Sequence, residues 1–404
     1  MKKPSAFRLV HSGSLAAALA ALLAAHSAQA ASVYWDGTGS SWSAVGSWSN
    51  AVGVTTNPTA IPGTSDIATF SINTLTNTAQ TVNLNAAQSV LGLSFLGTNT
   101  ATTLLQGGGT NQILTLNTSG ISVASLAGAV TIGSVTAGEN VAITLSGAQS
   151  WTNNSANALT VVNGVTNGGF LLTLDGTGAI NLNGAIGGAG GLTKTGTGVT
   201  TLSGANTYSG ATAISAGVLN IQNATALGDI AAGTSVTAGA ALQIQGNITV
   251  GTEALTLNGT GIATGGALRN ISGTNTYGGL LTLGSATRIN SDAGTLTLSN
   301  AGTITGNTFG LTVGGAGNTT INSIIATGAG ALTKDGTGTL TLGGVNTFTG
   351  LTTVTAGTLA YGVTNALSTS ATPSMAAPWT WEHSATRWAP SLSAPARSPA
   401  AAGY

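Results

Sequence analysis

Of 404 residues, 61 are Gly, none is Cys and only 4% are charged, against the roughly 25% charged share of ordinary globular domains. That balance speaks against a mixed α/β enzyme. The 42% hydrophobic content speaks equally against disorder, which needs low hydrophobicity and high net charge. The formal net charge is zero and the charges are scattered with mixed sign, so neither nucleic acid nor anionic lipid is expected as a partner.

At the N-terminus, Lys2, Lys3 and Arg8 precede an unbroken apolar run from Leu15 to Ala25, and Ala28-Gln29-Ala30 follows. This order predicts a signal peptide over 1–30, cleaved before Ala31, and hence export through the inner membrane. The run falls short of the ~20 apolar residues of a membrane-crossing helix, and no later segment comes closer, so no membrane-spanning helix is expected. Cleavage leaves six basic and nine acidic residues, a net charge of −3. Without Cys an exported fold is not stapled by disulfides, and its stability must come from stacking and burial.

Residues 31–60 form an aromatic N-terminal segment, VYWDGTGSSWSAVGSWS from Val33. Trp35, Trp42 and Trp48, beside Tyr34 and Asp36, admit two readings: glycan contact by stacking on sugar rings, or a capping region that plugs the open end of an apolar core. From 61 to 367 the chain repeats a strand-then-turn unit: ILTLN at Ile113, AITLSG at Ala142, LLTLDG at Leu171, ALTLNG at Ala254, LLTLG at Leu280 and TLTLSN at Thr295. Aliphatic residues alternate with Thr, the period of a strand with one buried face. Gly, Asn or Asp closes each unit, where tight corners need them. Short strands at near-regular spacing also suit a sandwich or barrel. Units that cannot bury their apolar face alone, with nothing to mark a break between domains, favour an all-β parallel β-helix, a β-solenoid. Coils of about 20 to 25 residues at ~4.8 Å spacing would give about 15 coils in one rod of roughly 70 Å.

Within this body, AGGLTKTGTGVTTLSGANTYSGATAISAGVL at 189–219 realigns without a gap on AGALTKDGTGTLTLGGVNTFTGLTTVTAGTL at 329–359. The shared positions are Leu192, Lys194, Gly196, Gly198, Leu202, Gly204, Asn206, Tyr208, Gly210, Thr212, Gly217 and Leu219. The second copy answers with Lys334, Gly336, Gly338, Asn346 and Gly357, and Phe348 replaces the Tyr. These residues resemble the autotransporter-associated β-strand repeat of Gram-negative passenger regions. The stretch 267–298 and the segment from Val33 look like passenger sequence too. The resemblance implies transport across the outer membrane through a C-terminal β-barrel, with the passenger folding outside as a β-helix that serves adhesion, aggregation or display. Host-surface or glycan ligands, or self-association, are the partners it implies.

No segment after Leu367 has the alternating ten-residue strands of such a barrel, so the expected translocator is missing and the passenger reads as truncated. The tail, 368–404, turns abruptly rich in Pro, Ala, Ser and Trp. A shifted reading frame accounts for this: read one frame over, Met375-Ala376 gives Gly, Trp379-Thr380 gives Asp, and Trp381-Glu382 and Trp388-Ala389 each give Gly, compatible with a resumed repeat. A genuine Pro-rich tail is the alternative. A truncated product would stay in the periplasm, a translocated one would reach the cell surface or medium.

No catalytic residue, cofactor or metal is expected. The body between the leader and the tail contains neither His nor Cys, which general acid–base and nucleophilic mechanisms favour. Lys194 and Lys334 occupy equivalent repeat positions, which makes them structural. GGAGGLTKT from Gly187 fails as a phosphate loop because Thr193, not Gly, precedes the Lys and strand pattern follows. The scattered Asp residues lack calcium-loop spacing. The enzyme alternative is a polysaccharide lyase or hydrolase on a β-helix, with Arg269, Arg288 and Asp292 as its candidates. A surface salt bridge is the plainer role for them.

Overall fold

The computed structural model describes residues 30–52, 54, 56–71, 79–96, 102–368 and 373–375. The expected signal peptide, apart from Ala30, and nearly all of the 368–404 tail lie outside them. Regular structure is almost entirely strand; the described residues include just two single-turn 3-10 segments, Val45–Ser47 and Ile262–Thr264. Where the sequence suggested an uninterrupted body, the chain divides into two compact units, one ending at Gln243 and one starting at Ile244. Each is a parallel β-solenoid.

In the N-terminal unit one face stacks nine strands in parallel register. They run from Ala31–Trp35 through Asp66–Phe70, Gln88–Phe95, Gln112–Val123, Gln149–Asn153, Leu172–Asp175, Leu192–Lys194 and Thr212–Ile214 to Thr234–Val236. A second face runs from Gln80–Asn83 to Val218–Ile221. A third is made by Val141–Leu145, Val165–Thr166 and Ile186–Gly187 with the first halves of the two long strands. The C-terminal unit repeats the plan with six strands on one face, Thr249–Val250 to Thr358–Tyr361. A second face runs from Leu268–Ser272 to Pro373–Met375.

Alternation decides what is inside. In LTL and LTK strands the first and third residues are buried and the Thr is partly exposed. Parallel register then places like on like: Leu172 lies against Leu192, and Leu182 against Leu202. Coil length is less uniform than the repeats suggested. Ala31 pairs with Asp66 and Gly120 lies against Ser150's coil, whereas Leu172, Leu192 and Thr212 succeed one another every 20 residues. Longer early coils mean fewer of them than the expected fifteen. The excess residues sit in corner loops such as 36–47, where lengthening a loop costs little free energy.

The aromatic segment closes the first coil. Ala31–Trp35 is the first strand of the stack. Its free edge carries Trp48–Ser49 running antiparallel, with Trp35 opposite Trp48. That strand occupies the edge another parallel coil would otherwise take. Trp35, Trp42 and Trp48 are at most 1% exposed. Trp48 meets Trp35 and Trp42 edge to face at 5.1 and 4.9 Å. Phe70 of the next coil lies 5.9 Å from Trp48 and stacks on Phe95 of the coil after, at 4.9 Å. The Trp48 indole N–H donates to the Trp42 carbonyl at 2.7 Å. With this burial no indole face is open to a sugar ring.

Because each coil touches only its neighbours, damage should stay local. Trp48→Ala removes a fully buried indole and is expected to cost about 3–5 kcal/mol. Hydrogen exchange should show lost protection over 31–35 and 66–70 and none over 332–361; uniform loss along the chain would contradict local stacking.

Candidate functional site

The two repeat copies carry the same internal machinery. Strand Leu192–Lys194 turns Lys194 inward, so the lysine stands in an aliphatic ladder between Leu174 of the preceding coil and Ile214 of the following one. Lys334 stands likewise between Val313 and Val354. Each residue is 2% exposed. The methylene stems fill the ladder and the ammonium groups reach the corner, where Lys194 donates to the Gly196 carbonyl and Lys334 to those of Gly336 and Ala356. Burial pulls Lys194 down to about 8, with Asp175 opposing. Burial also lowers Lys334, Asp335 opposing and Arg288 adding to it.

The corner itself is packed backbone against backbone. A Cβ on Gly196 would lie 2.2 Å from the Gly176 carbonyl oxygen, and one on Gly198 2.3 Å from that of Gly178. Gly336 and Gly338 make the same approach to Gly315 and Gly317. Gly217 and Gly357 close the next corner at φ of 66° and 72°, each over the lysine ammonium, a conformation that costs a residue with a Cβ roughly 1–2 kcal/mol.

Asn206 joins three coils. Its side-chain oxygen accepts from the Ile186 N–H at 2.8 Å, and its amide donates to the Ala226 carbonyl at 2.6 Å. Asn346 repeats this with Ile325 and Ala366, at 2.7 and 2.6 Å. These amides replace a ladder where the backbone leaves the sheet, which is why the residue is Asn, whose tip carries both a donating NH2 and an accepting carbonyl oxygen. Tyr208 is buried and shares a hydrogen bond of 2.6 Å with Thr212 Oγ1. In the second copy Phe348 fills the same place. The corresponding Thr352 hydroxyl, fully buried, has no partner among the described residues.

The enzyme candidates meet in the C-terminal unit. Arg269 pairs with Asp292 at 2.6 Å, Asn290 donates to Asp292 at 2.6 Å, and Arg288 bonds Asn290 at 3.1 Å and Asp335 at 2.5 Å. Asp335, 47 residues beyond Arg288, was not foreseen. The register could have shown it, since Asn290 faces Gly314 and Val313 faces Lys334, which places Asp335 one column along. Gly314 leaves the room: a Cβ there would strike the Arg288 guanidinium at 2.0 Å. Both carboxylates are held by guanidinium groups, so the cluster is a partly exposed ion-pair network. Among the described residues no group of three His, Cys, Asp or Glu could hold a metal, and no helix is long and apolar enough to cross a membrane.

Two outcomes follow. Phe348→Tyr should give Thr352 its missing partner and stabilise the second repeat by about 1 kcal/mol, and Tyr208→Phe should weaken the first by a similar amount. Slower and faster exchange of the amides around 352 and 212 would report this; no change in either variant would refute the pairing. The unfolded lysine titrates near 10.5 and the folded Lys194 near 8, so between these values the unfolded chain holds more proton. Stability should therefore rise with pH through that window and fall as pH drops back to about 8, where the full cost of burying the charge is felt. Burial raises Tyr277 and Tyr361, which act in the opposite direction above about 10. The thermal midpoint should thus climb from pH 8 to about 10, and Lys194→Met with Lys334→Met should flatten that slope.

A passenger-associated-transport-repeat family model matches residues 192–221 and 332–360. No curated protein and no solved structure matches the chain. Both segments are thus passenger-associated-transport repeats, and their setting in parallel β-solenoids fits an autotransporter passenger.

Proposed function

We propose that the chain is an exported adhesive and structural passenger, displayed at the cell surface or released, and not an enzyme. The observation that carries this reading is where the repeats spend their chemistry. Lys194, Asn206, Tyr208 and their counterparts Lys334, Asn346 and Phe348 are all buried inside the coils, and the two asparagines and Lys334 bond to neighbouring coils. What remains outside is a weakly charged lateral surface rich in Thr, Asn and Gly, with single apolar side chains such as Leu126, Val135 and Ile230 among them. Such a surface makes weak contacts repeated along many coils, whose avidity exceeds that of any one of them. Host-surface molecules, glycans or other copies of the chain are the partners this suits. Scattered charge offers nucleic acid no basic track.

The polysaccharide-cleaving alternative would have to work through Arg288 and Asp292. Their mutual engagement through Asn290, and the further ties to Arg269 and Asp335, favour a structural role. Displaying the chain on cells behind a β-barrel translocator should increase attachment or cell–cell aggregation over cells showing the barrel alone, and surface proteolysis should abolish the gain. Equal attachment by both strains would overturn the adhesive reading. Polysaccharide cleavage that Asp292→Asn or Arg288→Gln eliminates would overturn the non-enzymatic one.

A further inference from the structure

One face of the C-terminal unit carries an ordered array. Strands Thr274–Tyr277, Thr295–Leu298, Asn318–Ile321, Thr339–Leu342 and Thr358–Tyr361 are each four residues long, so each offers two outward positions two residues apart. Their parallel register is free of bulges. It aligns Thr274, Thr295, Asn318, Thr339 and Thr358 in one rank. Thr249 of the short strand Thr249–Val250, Thr276, Thr297, Thr320, Thr341 and Ala360 form the second. Nine of these eleven residues are Thr, the others being Asn318 and Ala360; none is charged, and all are at least partly exposed.

We propose that this face binds ice. Residues within a rank repeat at ~4.8 Å and the ranks lie about 6.6 Å apart, by ordinary strand geometry. That near-rectangular net approximates the repeats of the water oxygens on a prism face of ice. Each Thr presents a hydroxyl that can join the lattice and a methyl that orders water beside it. The β-branch restricts χ1, so little rotamer freedom is lost when the hydroxyls align. One water contact is weak, and only a repeating array against a repeating partner accumulates affinity. The absence of charge matches an uncharged lattice.

Two comparisons set this face apart. In the first repeat copy the corresponding positions are Val199, Thr201, Val218 and Asn220, the last two buried, so the array is not a general property of the repeat. On the neighbouring face of the same unit, the column Arg288, Thr312, Thr333 and Thr353 is a single rank with a charged end. A crystalline polysaccharide is the less fitting partner, because pyranose rings are gripped by aromatic faces, and neither rank contains an aromatic residue.

The test is to grow ice slowly from a solution of the chain and measure its partition into the ice, with thermal hysteresis and crystal habit alongside. The unmodified chain should enter the ice and shape it. Thr297→Tyr with Thr320→Tyr, bulky at the centre of the net, should be excluded, as should Thr297→Ser with Thr320→Ser, which crowds nothing and removes only the methyls. Thr160→Tyr, outward in the N-terminal unit, should be retained like the unmodified chain. Hydrogen exchange over 274–342 checks that the variants keep the fold. Exclusion of the unmodified chain, undiminished retention of the Ser variant, or binding to insoluble cellulose or chitin without retention by ice would each overturn the proposal. Purified chain and ice suffice, so this outcome is separate from whether displayed chain attaches cells.

Discussion

Everything in this molecule depends on one requirement: a coil finds its hydrogen-bond partners in the coils above and below it, at the fixed separation of neighbouring strands. Strands satisfy that rule without help. Corners do not, because there the backbone turns away from the ladder and two successive turns must still nest. Glycine stacked on glycine at 196 over 176 and 198 over 178 is the steric answer to nesting. Asn206 and the Lys194 ammonium supply the hydrogen bonds. The repeat motif is therefore a list of the places where a coil cannot pair by backbone alone.

The two copies show which parts of that list are rigid. The Lys, the Asn and the stacked glycines recur at the same contacts in both units. The aromatic position tolerates exchange, at the expense of one buried hydroxyl, Thr352, left without the bond that Thr212 makes. A loss of that size is small against the apolar ladders around it.

Fold class was legible because the alternation of Leu and Thr, and the Gly or Asn that ends each strand, are local signals that stacking reinforces. The inward lysine was not legible as such: LTK reads like any LTL strand whose last residue has become polar, and only the corner carbonyls that its ammonium reaches explain it. Coil length was legible in the repeats and misleading outside them, since loops of 36–47 or 133–140 lengthen a coil without disturbing its strands. The Trp cluster was visible as composition. That its outermost strand runs backwards depends on the turn at 45–47, for which the sequence carries no distinctive pattern. Asp335 joined Arg288 unforeseen because their link passes over Gly314, a residue with no side chain to draw the eye.

The asparagine that reaches both ways also acts as a gauge. Ile186 lies 20 residues before Asn206 and Ala226 lies 20 after it, while Asn346 stands 21 and 20 residues from its two partners. Asn275, whose amide turns back to its own coil at Asn270 and Ser272, sits 27 residues beyond Ile248. A side chain anchored on two sides fixes where both neighbouring corners must fall, and one anchored on a single side leaves the other free. Insertions can therefore accumulate in the loosely tied coils, where loops can be elaborated, while the doubly tied coils keep the count constant.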